Sequence, residues 1–212
     1  MTSEQAVPPT VGAILAGGLA RRLGGGDKAL RKVGGRTILS RLVDRLTPQV
    51  TRLVLNANDE PRRFNGVGLP VVADSLPDYP GPLAGVLAAL EWTALSAPGI
   101  QWVVTVPGDA PFVPRDLVSR LHAERHRDGA IFACAGSSGR THPVVALWPV
   151  SIRGEFRRTV AEDGVRKVGA FTQRYSCSVV HWGTEPVDPF FNVNTPEDLI
   201  EADRLVAVRP GL

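Results

Sequence analysis

Cysteine is nearly absent: the 212-residue chain has two, Cys134 and Cys177. They show no C-x-x-C spacing, which excludes a disulfide framework and a thiolate metal site as organising features. Free, buried thiols in a reducing compartment are the expectation. Long apolar runs are missing too. None approaches the roughly 20 residues needed to span a bilayer. Residues 1–10 are polar and proline-bearing, without the apolar stretch of a secretory leader, and are expected to form a flexible tail. Nor is there a large charge of one sign: 24 Lys and Arg face 21 Asp and Glu, a net charge of +3. Such an excess suits a phosphate-bearing small molecule. A nucleic-acid binder would carry a clustered basic stripe, and the basic stretches here are pairs such as Arg21-Arg22 and Arg157-Arg158. These absences point to a soluble, cytoplasmic protein with neither a membrane nor a nucleic acid as partner.

What is present is a globular composition, 43% hydrophobic and 21% charged, at a length suited to one domain. Short apolar runs alternate with helical patterns. Strands are expected at residues 11–16, 52–58, 69–74 and 102–106, and helices at 37–46, 82–94 and 114–127. This alternation predicts an α/β fold: a three-layer, mostly parallel, Rossmann-like sheet with helices on both faces. The second half is less regular. Strands at 130–135 and 143–148 flank a short Gly-rich turn, which predicts an antiparallel excursion. Helices at 151–162 and 164–173, a strand at 176–182 and a last helix opening at Thr195-Pro196-Glu197-Asp198 complete the chain. That opening is a hydroxyl cap, a first-turn proline and carboxylates against the positive helix end. No internal repeat or linker marks a boundary, so residues 11–207 are read as one domain.

In open sheets of this kind ligands sit beyond the carboxyl ends of the strands. The segment after the first strand, LAGGLARRLGGGDK from Leu15 to Lys28, is the most informative. Glycines let a ligand approach the main chain, so N–H groups can point at anionic oxygens. Arg21, Arg22 and Lys28 add cationic charge. The loop has neither the G-x-G-x-x-G dinucleotide fingerprint nor the G-x-x-x-x-G-K-[ST] P-loop. It is a nucleotide loop of a third type.

That loop resembles the signature of the nucleotidyltransferases that handle the molybdenum cofactor, the MobA family. The resemblance runs in family order through Asn56-Ala57-Asn58, Asp74, Asp78 to Gly85, Pro107 to Phe112, Arg140 to Val144, and Phe190 to Leu199. It spans nearly the whole chain. A relative that transfers CMP typically has LAAG in the loop and DxDTPED near the end. Here Leu15-Ala16-Gly17-Gly18 and Asn192-Val193-Asn194-Thr195-Pro196-Glu197-Asp198 favour GTP. Leu19, Leu23 and one extra glycine in Gly24-Gly25-Gly26 depart from the guanylyl pattern without removing the cations.

The resemblance implies transfer of GMP from GTP to the terminal phosphate of Mo-molybdopterin, with Mg²⁺ as cofactor; a monomer is the default expectation. Transient contacts with molybdenum cofactor biosynthesis proteins and acceptor molybdoenzymes are implied as well. A carboxylate in a tight Pro-Gly turn, Asp109, can hold a hard cation or merely cap its turn; the family favours the metal. Lys28, Arg22 and Asp109 are the implied catalytic residues. Leu15, Ala16, Gly17, Gly18, Arg21, Asn56, Asp74 and Gly81 join Lys28 and Asp109 in binding nucleotide. Arg140, Asn192 and Asn194 are assigned to the pterin substrate. The nucleotide half is expected at about 11–115 and the pterin half at about 116–207. The alternatives are a cytidylyltransferase, another nucleotidyltransferase of this fold, or a GTP-binding protein that delivers cofactor without catalysis. His122 and His126, four apart on a helix, lack the H-E-x-x-H order and read as a solvated face. The four scattered tryptophans read as core or rim packing.

Overall fold

In β1 (Thr10–Leu15) alternate side chains serve opposite faces of a sheet. Val11 and Ala13 join one apolar cluster and Ile14 the other, the period of two that a strand buried on both sides requires. The same division holds in β4 (Arg52–Asn56), where Leu53 and Leu55 oppose Val54. The computed structural model describes residues 6–17, 25–58, 61–76, 81–161, 168–209 and 211–212.

Seven strands form one sheet in the order β5-β4-β1-β6-β8-β7-β9, where β5 is Val71–Val72, β6 Trp102–Pro107, β7 Phe132–Ser137, β8 Arg140–Pro149 and β9 Cys177–His181. β1 pairs in parallel with β4 and β6, and β4 with β5. β8 runs antiparallel to both β6 and β7, while β7 is parallel to β9. The expected antiparallel excursion is therefore a single reversed strand. Helices α1 (Ile38–Leu46), α3 (Leu117–Asp128) and α6 (Pro196–Val208) pack on one face. On the other lie α2 (Pro82–Ser96), α4 (Arg153–Ala161) and α5 (Val168–Thr172). Trp148 anchors that second face, fully buried against Phe132 and Phe156 at ring-centroid distances of 5.1 and 5.7 Å. No helix among the described residues is long and apolar enough to cross a membrane.

Local differences from the expected elements have local causes. A two-residue hairpin, β2 (Lys32–Val33) with β3 (Arg36–Thr37), turns through Gly34 and Gly35, both at positive φ. α3 begins at Leu117 rather than 114, with Asp116 at its N-cap position and the Asp116 carboxylate accepting from Trp182 Nε1 (3.0 Å) instead of capping the helix. A 3₁₀ turn, Val150–Ile152, precedes α4, and the start expected for α5 lies outside the described residues. At α6 the expected cap is complete. Asp198 N donates to Thr195 Oγ1, and the Asp198 carboxylate accepts from Thr195 N at 2.8 Å. A capping box of this kind contributes about 1 kcal/mol, and it fixes the chain just after Asn192 and Asn194.

His122 is not on a solvated face. It is buried, its Nε2 lies 2.8 Å from Thr10 Oγ1, and its ring meets Trp102 edge-on. Burial, aided by the nearby Arg125 charge, pushes its pKa down to about 4, so it packs as a neutral ring. His126 is exposed, as expected. Cys134 and Cys177 are free thiols brought together on β7 and β9, with Sγ atoms 3.5 Å apart.

Candidate active site

The carboxyl ends of β1, β4 and β6 meet at one rim of the sheet. Ala16 N donates to Asn56 O and Gly108 N to Leu15 O, both at 2.8 Å, so the segments leaving these three strands are tied together by main chain. Beyond them lies a cavity of about 490 Å³ lined by Leu15, Gly17, Asn56, Asp74, Gly81 and Asp109, among others. Gly81 caps α2 at φ 133°, a conformation that a side chain would resist.

Asn56 closes β4, is buried, and donates from Nδ2 to Asp74 Oδ1 at 2.8 Å. Asn58 donates to the other carboxylate oxygen at 2.7 Å and accepts from Asp74 N at 2.9 Å. The Asp74 carboxylate is thus held at both oxygens, oriented by two amides before any ligand arrives. Gly85, one turn into α2, is where that arrangement is most sensitive. A Cβ there would land on Asn56 Oδ1 and come within 3.2 Å of Leu15 Cδ2. Gly85→Ala is expected to raise the nucleotide KM about tenfold, as small displacements of positioning groups do, while the KM of the second substrate stays within about twofold. Steady-state kinetics with each substrate varied in turn will show it.

At the end of β6 stands Asp109. Lys28 Nζ donates to its Oδ2 at 3.2 Å, and Asn192 Nδ2 to its Oδ1 at 2.6 Å. Lys28 also donates to Asn194 Oδ1. The main chain supports the same pairing, since Val193 N donates to Asp109 O at 2.9 Å. Lys28 comes from near the start of the chain, Asp109 from its middle, and Asn192 and Asn194 from towards its end. A small cleft of about 60 Å³ joins Lys28 and Asp109 to Leu15 and Ala16. Among the described residues no three His, Cys, Asp or Glu side chains gather as a ready-made metal site. Asp27, the one carboxylate of the Leu15–Lys28 segment, is buried against Arg63 (Nε to Oδ2 3.1 Å).

A second cavity, about 650 Å³, is lined by Arg140, His142, Asp188, Phe190, Asn192 and Asn194, with three neighbours. Asn192 lines both of these cavities. The Lys28–Asp109–Asn192–Asn194 cluster therefore sits where the two spaces meet.

Most residues singled out in the sequence converge here: Leu15, Gly17, Asn56, Asp74, Gly81 and Asp109 on the first cavity, Arg140, Asn192 and Asn194 on the second, with Ala16, Lys28 and Asp109 at the join. Gly18, Arg21 and Arg22 lie outside the described residues. Asn58, Ser137, His142 and Asp188 were not singled out. Asn58 and His142 fall within motifs already noted, but Ser137 and Asp188 meet only through pairing across 51 positions.

A family model described as the MobA-like NTP transferase domain matches residues 12–176. The chain belongs to the MobA-like NTP transferase family. A molybdenum cofactor guanylyltransferase from Nitrobacter hamburgensis is 54% identical over 211 residues, covering 100% of both chains. The molybdopterin-guanine dinucleotide biosynthesis protein A of Archaeoglobus fulgidus shares the fold with a TM-score of 0.72 at 24% identity, over 93% of this chain and 99% of that one. A Mycobacterium tuberculosis protein crystallised with manganese does so with a TM-score of 0.67 at 18% identity, over 92% and 98%. The MobA resemblance read from the loop motifs is borne out, as is the mostly parallel α/β fold.

Proposed function

We propose that this MobA-like nucleotidyltransferase transfers GMP from GTP to the terminal phosphate of Mo-molybdopterin, releasing pyrophosphate and giving the guanine dinucleotide cofactor. The name of the Nitrobacter relative supports the reaction. The observation that carries it is the cluster at the junction of two cavities: one cation and one carboxylate, framed by Asn192 and Asn194, where two phosphate-bearing substrates would meet. The first cavity takes GTP, with Asp74 facing the base. A doubly held carboxylate there accepts from the N1–H and N2 amino groups of guanine, and cytosine lacks that pair of donors. Residues 11–115 serve the nucleotide and 116–207 the pterin within one domain, acting as a cytoplasmic monomer.

The nucleophile is an oxygen of the acceptor phosphate, already ionised at neutral pH. It forms a bond to the α-phosphorus as the bond from that phosphorus to the β-bridging oxygen breaks. The electron pair leaves with pyrophosphate, so no general base is required. Catalysis rests on alignment and charge neutralisation. Lys28, with Arg21 and Arg22, counters the charge on the departing group. Asn192 and Asn194 hold the acceptor side, and Arg140 takes its phosphate. A part-buried carboxylate in a cleft, with the amide oxygen of Asn194 close by on Lys28, offers the hard oxygen donors that Mg²⁺ prefers, and that ion is commonly bound through one or two carboxylates plus substrate phosphates. Asp109 would hold it, and when bound it supplies neutralisation of the roughly four negative charges of the triphosphate.

Pyrophosphate release, measured with each nucleotide in the presence and absence of molybdopterin, tests the reading. Release is expected with GTP only when molybdopterin is present, and with CTP at under about a tenth of that rate. Faster release with CTP would make the protein a cytidylyltransferase. GTP binding without pyrophosphate release would make it a delivery protein.

A further inference from the structure

His142 and Asp188 line the second cavity and meet at the buried Ser137 in a three-residue relay that the transfer chemistry does not use. Ser137, buried at the end of β7, has its Oγ 2.9 Å from both oxygens of Asp188 and 2.7 Å from His142 Nε2. Asp188 Oδ1 also accepts from Phe190 N at 2.9 Å. A hydroxyl has one proton to give, and an ionised carboxylate can only accept. If the serine gave its proton to the imidazole, its bare oxygen would face two carboxylate oxygens with nothing between them. The proton therefore goes to Asp188, and His142 Nε2–H donates to Ser137 Oγ. This fixes the tautomer: Nε2 carries the hydrogen and Nδ1 keeps its lone pair. Burial, reinforced by the Arg140 charge and opposed by Asp188, holds the His142 pKa below its ordinary value, so the ring is neutral near pH 7. No described side chain or main-chain group hydrogen-bonds Nδ1, although His142 lines the cavity.

We propose that His142 reads the acceptor substrate, its Nδ1 accepting a hydrogen bond from an N–H of a flat nitrogen heterocycle. The walls match that class of ligand. Phe190 lies against the His142 ring at 4.8 Å, and Phe191 lines the same space. Arg140 stands in the same cavity for an anionic group. A heterocycle with N–H donors and a phosphate satisfies all three, and a pterin monophosphate is such a molecule. A bare acceptor nitrogen repels a ligand that offers only acceptors at that edge, so His142 selects as well as binds. The inference rests on the proposed GMP transfer and deepens it by assigning a residue to the pterin ring.

Two substitutions separate the acceptor from the tether. His142→Gln places an amide N–H near the former Nε2, keeping the donation to Ser137 and removing the acceptor. His142→Asn places an amide oxygen near the former Nδ1, keeping the acceptor and losing the tether. With purified molybdopterin, His142→Gln is expected to raise the acceptor KM about tenfold. Its GTP KM and kcat should stay within about twofold. His142→Asn should retain the acceptor KM within about threefold. A wild-type acceptor KM in His142→Gln overturns the assignment. So does a parallel rise in the GTP KM of both variants, because that pattern belongs to a structural residue. Failure of the unaltered protein to transfer GMP at all would instead sink the proposed reaction, and the two failures are read from different samples.

Discussion

Asp109→Ala is expected to reduce GMP transfer by on the order of 10³-fold, with the thermal midpoint lowered by no more than a few degrees. The stability cost is small because the pair it breaks is only partly buried. The side chains of Lys28 and Asp109 retain 20% and 16% of their exposure, and such a pair contributes about 1 kcal/mol. In a domain of this size that moves the midpoint by roughly 2–4 °C. The main-chain bond from Val193 N to Asp109 O does not depend on the side chain, so the strand end and the Asn192–Asn194 segment stay together. The functional cost is large because nothing replaces the carboxylate, since no cluster of three metal-ligating side chains exists among the described residues. Asp109→Asn is the sharper variant. It keeps the size and one acceptor for Lys28 while removing the charge, and it should lose at least about 10²-fold. Turnover at the unaltered rate in saturating Mg²⁺ would remove Asp109 from the site's chemistry. Circular dichroism and a melting curve on the same samples show whether lost activity reflects lost fold.

The sequence carried the parts of this site that depend on residue type and order. Short, compact apolar runs located the strands, and Thr195 to Asp198 announced a helix start whose two reciprocal bonds are present. Because ligands collect beyond strand ends, the residues following β1, β4 and β6 were the ones to examine, and they line one cavity. Pairing at long range was not legible. Lys28 and Asn194 are 166 positions apart, and no local pattern says that they touch. The same limit hid the Ser137–Asp188 contact, which depends on how the segment after β9 returns over the sheet. The small hairpin of β2 and β3 escaped for a different reason. Its Gly34-Gly35 turn follows a glycine-rich loop and merges with it in composition. His122 misled because two histidines four apart describe a helix face without saying which side of the helix is buried.

Lys28→Met should lower kcat by about 10²- to 10³-fold while leaving the protein folded. Methionine approximates the volume of the lysine stem, so the loss isolates the ammonium. That group has three donors. One is directed to Asp109 and one to Asn194, leaving a third for a phosphate oxygen in the small cleft by Leu15 and Ala16. Lys28→Arg restores the charge without the compact geometry. A planar fork does not fit the same pair of acceptors in a cleft of about 60 Å³, and the arginine variant should stay below about a tenth of the original kcat. Recovery by arginine would mean that charge alone matters there, and a methionine variant retaining more than a tenth of the rate would remove Lys28 from the transition state. The double variant with Asp109→Ala is the decisive comparison. Because the two side chains hold each other at 3.2 Å and in the proposed reaction serve one triphosphate, their losses should not add, and the double variant should be no slower than the worse single one by more than about threefold. Fully multiplicative losses would show the cation and the carboxylate acting independently.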